Sequence, residues 1–150
     1  MITCILQTRM GSTRLPGKVL MKINQNKSVL DFVIKQLRFS ELIDKIIIAT
    51  TNLEEDDIIE QYARDNELEY FRGSSLDVLD RYYQCAKKFK LNTILRVTSD
   101  CPLIDPIIID KIIKKFNDGK YEYVSNFLTH SFPNGTEAEI FSFNVLEKVW

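Results

Sequence analysis

The sequence predicts an α/β protein, a three-layer α/β/α sandwich around a mainly parallel, Rossmann-like sheet. Short continuous apolar runs, typical of strands buried on both faces, alternate with segments whose apolar residues recur every three or four positions, as in helices. Strands that alternate with helices build right-handed βαβ units, and their helices cover both faces of the sheet. The 150 residues contain no internal repeat, low-complexity tract or linker, so we expect a single domain, residues 1–150.

The strands and helices follow one another in a clear order. Strands are predicted at residues 2–7, 45–50, 69–71, 93–98, 121–126 and 138–143. Helices are predicted at about 28–40, from 52 onward, from 74 or 75 to 89, and from 105 to a stop at 119. The predicted N-caps are Ser28, Asn52 with Glu55 in a capping box, Ser74 or Ser75, and Asp105 followed by Pro106.

The last residues predict the start of one more helix. Asn144 and Glu147 have the spacing of a capping box, yet only about two turns separate them from Trp150. A helix that short is marginal on its own. We therefore expect the chain to be either a fragment or a minimal version of a longer protein.

Composition excludes several classes of protein. With 20 basic and 21 acidic residues the net charge is -1, which provides neither a general basic surface for nucleic acid nor a polybasic signal for membranes. No apolar run reaches the roughly 18 residues of a membrane span. The chain begins in a strand rather than in a charged lead with an apolar signal core. We expect no nucleic-acid or membrane partner.

The cysteines are predicted to be free thiols. Cys4, Cys85 and Cys101 are odd in number, and their spacing suits neither a metal site nor a disulfide framework. Cys4 and Cys85 lie in apolar patterns, where buried thiols are common. Cys101 has no neighbouring base that would make it a nucleophile. The expected location is a reducing cytoplasm.

The strongest functional signal is the stretch 7–18, between the first strand and the first helix. Arg9, Arg14 and Lys18 concentrate three cations there, and glycines allow the backbone to approach a ligand closely. Like charges about 4 Å apart repel by about 1 kcal/mol in water, and by more where water is excluded, so an anionic partner offsets the repulsion. The pattern favours phosphate binding.

Two familiar phosphate-binding motifs do not fit this stretch. A P-loop has four residues between its glycines and a Ser or Thr after the lysine. Here five residues separate Gly11 from Gly17, and Val19 follows Lys18. A dinucleotide fingerprint is excluded because no G-x-G-x-x-G pattern is present.

Asp100 is the predicted metal-side partner of this loop. It follows the strand at 93–98, and open α/β sheets bind ligands at the carboxyl ends of their strands. A carboxylate there suits Mg²⁺, which usually takes only one or two protein carboxylates besides water and phosphate oxygens. The structural alternative is a turn or cap before Pro102. Asp105 is interpreted as a helix cap and is not a catalytic candidate.

Seven stretches together resemble cytidylyltransferase-like proteins of spore coat polysaccharide biosynthesis, which are related to the CMP-KDO and acylneuraminate cytidylyltransferases. In chain order they are QTRMGSTRLPGKVL at 7–20, ATT at 49–51, FRGS at 71–74, DVLDRYY at 77–83, TSDCPLID at 98–105, YVSN at 123–126 and FPNG at 132–135. They run through nearly the whole chain in order, so a chance match is not expected.

The resemblance implies a GT-A-type nucleotidyltransferase. It implies Mg²⁺-dependent transfer of CMP from CTP to a sugar acid or related sugar, with release of pyrophosphate, and frequent formation of homodimers. A non-catalytic nucleotide- or nucleotide-sugar-binding domain of a larger protein is the alternative, because related synthetases take a second metal-binding aspartate from a strand beyond the matched region.

The resemblance also assigns roles to individual residues. The residues predicted to act in catalysis are Arg9, Lys18 and Asp100, with Asp100 also the metal ligand. Those predicted to bind the nucleotide are Gln7, Arg9, Gly11, Ser12, Arg14, Lys18, Arg72, Ser74 and Asp77. The candidates for the sugar side are Asn126, Glu137 and Glu139, with the metal as the alternative for Glu137 and Glu139. The stretch 136–139 reads Thr-Glu-Ala-Glu where relatives have Leu-Asp-Val-Glu, which leaves the sugar unspecified.

Several residues keep two interpretations at this stage. Asp80 and Arg81 belong either to a solvated helix face or to the nucleotide site. Arg96 lies inside an apolar strand, so it is either an ion-paired structural residue or part of the site. His130, on a polar loop, is expected to be exposed to solvent rather than to act as a base.

Overall fold

The computed structural model describes residues 1–128 and 132–150. Its strands are β1 (Ile2–Gln7), β2 (Lys45–Thr51), β3 (Glu69–Gly73), β4 (Thr93–Thr98), β5 (Tyr123–Ser125) and β6 (Glu139–Ser142). Its α-helices are α1 (Val29–Leu37), α2 (Asp57–Asp65), α3 (Val78–Lys88), α4 (Pro106–Asn117) and α5 (Phe143–Val149). Two short 3₁₀ turns, Lys18–Leu20 and Glu54–Asp56, follow the first two strands.

The strands form one mixed sheet in the order β3-β2-β1-β4-β6-β5. The four strands from β3 to β4 pair in parallel, whereas β6 pairs antiparallel with both β4 and β5. Since β5 opposes β6 and β6 opposes β4, β5 runs in the direction of the parallel strands and β6 alone is reversed. The predicted mainly parallel sheet is confirmed.

Helices cover both faces of this sheet, which confirms the predicted three layers. One core packs α1, α2 and α4 against side chains such as Cys4 and Leu6 of β1. The other core packs α3 and α5 against the opposite face, through Ile5 and its neighbours. Alternate residues of β1 therefore enter different cores, as the two-residue period of a strand requires. No described helix has the length and apolar character needed to cross a membrane.

Two of the predicted helix starts are confirmed. Ser28 caps α1 in a full capping box with Asp31, because each side chain hydrogen-bonds the other residue's backbone N–H. Asp105 caps α4 and accepts from the N–H groups of Ile107 and Ile108. The negative charges of Asp31 and Asp105 also interact favourably with the positive, N-terminal end of each helix dipole.

Three other predicted caps are wrong. Asn52 does not begin α2, because Glu54–Asp56 forms a 3₁₀ turn and the helix starts at Asp57. Ser74 and Ser75 precede a further turn, and the residue that caps α3 is Asp77, which accepts from Asp80 N–H. Ser142, not Asn144, caps α5 and accepts from Val145 N–H. Each true cap lies within four residues of the predicted one.

Candidate phosphate-binding cleft

The cleft lies where the central strands β1 and β4 end side by side. Gln7 and Thr98, their last residues, are register partners, and Ser99 N–H donates to the Gln7 carbonyl at 3.1 Å. Parallel strands bring the loops that follow them to one edge of the sheet. The cationic loop after β1 and Asp100 after β4 are therefore neighbours, as the sequence predicts.

The loop after β1 closes on a single peptide group. The Met10 carbonyl accepts from Ser12 N–H at 2.8 Å and from Gly17 N–H at 2.9 Å. Gly17 has φ of 71°, in the left-handed region where glycine is least strained. The 3₁₀ turn Lys18–Leu20 follows directly and anchors the loop through buried Val19. This explains the second glycine of the stretch.

Lys18 and Asp100 form an ion pair across the mouth of the cleft. The distance from Lys18 Nζ to Asp100 Oδ2 is 2.5 Å. Burial alone would raise the pKa of Asp100, but hydrogen bonds from Lys18 and Thr98, together with the charge of Lys18, outweigh burial and hold the pKa below its ordinary value. The Asp100 carboxyl is therefore ionised at neutral pH. The structural alternative, a simple turn or cap residue, leaves this pairing unexplained.

The cleft brings most of the predicted phosphate-binding residues together. It encloses about 200 Å³. Its lining residues are Gln7, Arg9, Ser12, Thr13, Arg14, Lys18, Val19, Thr98, Ser99 and Asp100. Gly11 lines the adjoining open surface of the same loop, beside Glu55. Cations and hydroxyl groups that face one small cavity suit a ligand rich in phosphate oxygens.

One buried acceptor in the cleft lacks a partner. Gln7 Oε1 is buried and makes no hydrogen bond. Buried polar atoms without partners are uncommon in folded proteins and mark positions that a ligand or water completes. Gln7 was predicted to bind nucleotide, and its unsatisfied oxygen supports that prediction.

Arg72 lies outside the cleft and is occupied by protein groups. Its guanidinium donates to Asp57 Oδ1 at 2.5 Å, to Glu60 Oε2 at 3.0 Å and to the backbone carbonyls of Thr51 and Leu53. These bonds tie the end of β3 to the start of α2. A nucleotide contact by Arg72 would require some of them to break.

Ser74 and Asp77 also lie outside the cleft and make local contacts. The Ser74 hydroxyl accepts from Asp77 N–H at 3.0 Å, and Asp77 caps α3. The Ser74 carbonyl accepts from Arg81 Nη1 at 2.8 Å. The two side chains shape the turn between β3 and α3, and their contact with a nucleotide stays a prediction.

The three residues predicted to face the sugar have structural contacts of their own. Asn126 donates to the Thr136 carbonyl at 2.8 Å and accepts from Ala138 N–H at 2.9 Å. Glu137 accepts from Gly135 N–H at 2.7 Å. Glu139 pairs with Arg96. Their sugar contacts stay predictions.

Arg96 is ion-paired, as its structural interpretation predicts, and a role in the site stays a prediction. It pairs with Glu139, whose other oxygen accepts from Tyr123 Oη at 3.0 Å. The three side chains line a largely apolar groove of about 410 Å³ between α3 and α5, with no lining residue shared with the cationic cleft.

His130 lies outside the described residues.

Arg81 and Asp56 have buried roles that the sequence analysis did not identify. Arg81 is 0% exposed, so its interpretation as part of a solvated helix face is wrong. Burial lowers the pKa of Arg81, and its Nε and Nη2 atoms have no partner. Asp56 is also 0% exposed. In sequence it is one acid in a run of four, and nothing in that run distinguishes the buried member.

The cleft supplies one ligand that fits a divalent cation. Asp100 offers a carboxylate at the strand edge, and Mg²⁺ needs only one or two protein carboxylates when phosphate and water complete its shell. Among residues 1–128 and 132–150, no group of three or more acidic, histidine or cysteine side chains is arranged to hold a metal ion. The described residues thus fit a cation that is held jointly by Asp100 and a bound phosphate.

Comparison with known proteins connects the cleft to one family. The sequence profile described as "Cytidylyltransferase" matches residues 3–150. The solved structure of a cytidylyltransferase from Leptospira borgpetersenii superposes with a TM-score of 0.91 at 37% identity, over 99% of this chain and 63% of that one.

Two curated relatives have names that describe their roles. The spore coat polysaccharide biosynthesis protein SpsF of Bacillus subtilis is 38% identical over 151 residues, which cover 97% of this chain and 60% of SpsF. The 3-deoxy-manno-octulosonate cytidylyltransferase of Trichlorobacter lovleyi is 30% identical over 118 residues, 77% of this chain and 44% of the relative. The chain thus spans about three fifths or less of these two curated relatives.

Proposed function

The chain belongs to the cytidylyltransferase family, and we propose that it takes part in transfer of CMP from CTP to a sugar acid or a related sugar, for polysaccharide biosynthesis. The observation that carries the proposal is the cleft in which Arg9, Arg14 and Lys18 face Asp100 at the ends of β1 and β4. The names of the SpsF and octulosonate relatives support the sugar-acid class.

In the proposed reaction, an acceptor oxygen of the sugar attacks the α-phosphorus of CTP. The bond from that phosphorus to the bridging oxygen of the β-phosphate breaks, and pyrophosphate leaves. Most of the catalysis is alignment of the reactants and neutralisation of charge on phosphate oxygens. Arg9, Arg14 and Lys18 neutralise the triphosphate, while backbone N–H groups of the loop orient it.

We propose that Asp100 changes partner when substrate binds. Lys18 turns from Asp100 to the phosphates, and the freed carboxylate would then hold Mg²⁺. The bound cation would neutralise charge that develops on the phosphate oxygens. The unsatisfied Gln7 Oε1 accepts a hydrogen bond from the substrate or from water.

The experiment that tests the activity measures pyrophosphate release by the full-length protein. Each of the four nucleoside triphosphates is supplied with a panel of sugar acids and sugar phosphates, with Mg²⁺ present. We expect release only with CTP and with a sugar acid or close analogue. A full-length protein that releases no pyrophosphate with any nucleotide and acceptor would contradict the proposal.

A nucleotide-binding domain without transferase activity is the second candidate. It is favoured by the single carboxylate in the described part of the cleft. Calorimetry of CTP binding with and without Mg²⁺ separates the two, because binding without turnover in the full-length protein supports the second candidate.

The proposal also includes a homodimer in the cytoplasm, with CTP and a sugar as substrates and no nucleic acid or membrane as partner. The net charge of -1 supports the absence of a nucleic-acid partner. Light scattering after size exclusion tests the dimer directly. A monomer at high concentration would remove that part of the proposal without affecting the chemistry.

A further inference from the structure

The Met10 peptide is the point at which the cationic loop is tied together. Its carbonyl oxygen accepts from the N–H groups of both Ser12 and Gly17. Because both bonds converge on one oxygen, the orientation of this peptide sets the curve of residues 10–17. Any group that fixes the Met10 N–H therefore fixes the loop.

The group that fixes the Met10 N–H is the carboxylate of Asp56. Met10 N–H donates to Asp56 Oδ1 at 2.7 Å. The second oxygen, Oδ2, accepts from Thr51 N–H at 3.3 Å and from the Thr51 hydroxyl. Hydrogen bonds to an ionised group are roughly twice as strong as neutral ones. The neck of the loop is thus anchored to the end of β2.

Burial makes this anchor rigid. Asp56 is 0% exposed, and a buried carboxylate is unfavourable unless hydrogen bonds satisfy its oxygens. Donors from Met10 and Thr51 occupy both oxygens, so the buried carboxylate is satisfied in this position.

The residue next to Asp56 supports the same loop from outside. Glu55 Oε1 lies 2.7 Å from the position that a Cβ atom on Gly11 would take. Because Glu55 Oε1 ends a flexible, exposed side chain, it could move away from a larger residue at little cost, so the contact shows only that Gly11 lies close to the 3₁₀ turn Glu54–Asp56. Two successive acids of this turn therefore meet the loop at two successive residues, Met10 and Gly11.

We propose that Asp56 is a positioning residue for the triphosphate: it acts through the Met10 peptide to hold the loop in the curve that presents its cations and N–H groups to the phosphates. This inference rests on the proposed function, since it concerns the same cleft. Asp56 touches no cleft-lining cation in the bonds described above, so its effect on ligand binding is indirect.

The competing explanation is that Asp56 only stabilises the fold. Two control variants and two variants of Asp56 itself separate the explanations. Thr51→Val removes the hydroxyl that bonds Asp56 but leaves the Met10 bond, so it reports on stability alone. Asp57→Asn neutralises the adjacent acid, which pairs with Arg72 rather than with the loop. Asp56→Ala removes the anchor, and Asp56→Asn keeps its shape but loses the charge.

The measurement is the dissociation constant of CTP and of CMP, by calorimetry, for the wild type and each variant. Loss of a charge-assisted anchor should raise the CTP constant by about tenfold more than the CMP constant in Asp56→Ala, with a smaller change in the same direction in Asp56→Asn. Thr51→Val and Asp57→Asn should keep the ratio of the two constants within about twofold of the wild type, because the Met10 bond is intact.

An unchanged ratio in a folded Asp56 variant, or an equal change in Thr51→Val, would overturn the inference while the proposed function stands. If Asp56→Ala does not fold, the ratio in Asp56→Asn decides. Failure of the wild type to bind CTP would overturn the proposed function itself and this inference with it.

Discussion

Lys18 is the residue whose removal best separates triphosphate binding from nucleotide binding in general. Under the proposed function its ammonium group leaves Asp100 for the β- and γ-phosphates. A hydrogen bond from a charged group contributes about 1.5–3 kcal/mol, so Lys18→Ala should weaken CTP binding by about ten- to a hundredfold and CMP binding far less. Calorimetry checks this, with the exposed Lys22→Ala as control. Equal weakening for both nucleotides would place Lys18 elsewhere.

Substitution of Asp100 is expected to have opposite effects on CTP binding in the absence and in the presence of a divalent cation. Without a divalent cation, Asp100→Asn should tighten CTP binding, because it releases Lys18 and removes a negative charge from the cleft. With Mg²⁺, the same variant should lose the enhancement that the wild type shows. Titration of CTP in EDTA and in Mg²⁺ measures both effects, and Asp118→Asn, which removes an exposed acid, is the control. Retained Mg²⁺ enhancement would exclude Asp100 as a ligand.

Some site residues were predictable from sequence and others were not, for a physical reason. The cationic loop and Asp100 follow directly after strands that both lie in the centre of the sheet, so their meeting follows from topology. Arg72 also follows a pattern shared with relatives, yet its guanidinium is held by Asp57 and Glu60. Side-chain pairing across elements depends on packing distances that local sequence does not specify.

At the scale of elements, the segment 54–60 shows how one acidic run is divided among several contacts. The helix that the sequence predicts from residue 52 onward would place the acids at 54–57 in its first turn, where the helix dipole favours them. The structure instead buries Asp56 beneath the loop and directs Asp57 and Glu60 to Arg72. Asp57 and Glu60 still lie in the first turn of α2 while they pair with Arg72, whereas Asp56 precedes the helix and is buried.

Glu60 should make the link between α2 and β3 sensitive to acid. Hydrogen bonds from Arg64, Tyr70 and Arg72 lower the pKa of Glu60 from 4.5 to about 2. A group whose pKa is lowered by folding stabilises the fold above its ordinary pKa, and that stabilisation is lost as pH falls through the folded value. Glu60→Gln should therefore lower the melting temperature by a few degrees at pH 7.

The difference between Glu60→Gln and the wild type should shrink between pH 4.5 and about 2, where the native carboxylate takes up its proton. Thermal melts across this pH range measure it, with Glu54→Gln, an exposed acid of the same run, as control. A difference that stays constant down to pH 2 would contradict the pairing of Glu60 with its three donors.

At the scale of the whole molecule, the order and direction of the outer strands could not be predicted from the sequence. The alternation of apolar runs and helical patterns indicates layers and a parallel sheet, both of which are confirmed. The reversal of β6 is not encoded in that alternation, because a strand of period two reads alike in either direction. It depends on long-range pairing with β4 and β5.

The cysteines test whether the two cores unfold as one unit. Cys4 lies in the core beneath α1, α2 and α4, and Cys85 in the core beneath α3 and α5. Burial raises the pKa of Cys4 far above its ordinary range and that of Cys85 to about 12. A thiol reagent should modify half-buried Cys101 first, and Cys4 and Cys85 together, only on global unfolding.

Samples are labelled with the thiol reagent along a urea series, and mass spectrometry measures the rates at which Cys4 and Cys85 are modified. A Cys101→Ser variant is used, because it removes the faster reaction of Cys101. Equal protection of Cys4 and Cys85 is expected of a domain that unfolds in one cooperative step. Earlier exposure of either thiol would show that one face of the sheet opens independently.

The ion pair between Lys18 and Asp100 also has a thermodynamic consequence for the order in which ligands bind. Before either ligand arrives, each residue neutralises the other. Under the proposed function, a triphosphate that captures Lys18 leaves Asp100 available to a cation, and a cation that captures Asp100 leaves Lys18 available to phosphate. Linkage requires each ligand to raise the affinity of the other by the same factor. Under the proposed function, the pair would therefore make the binding of nucleotide and the binding of cation cooperative.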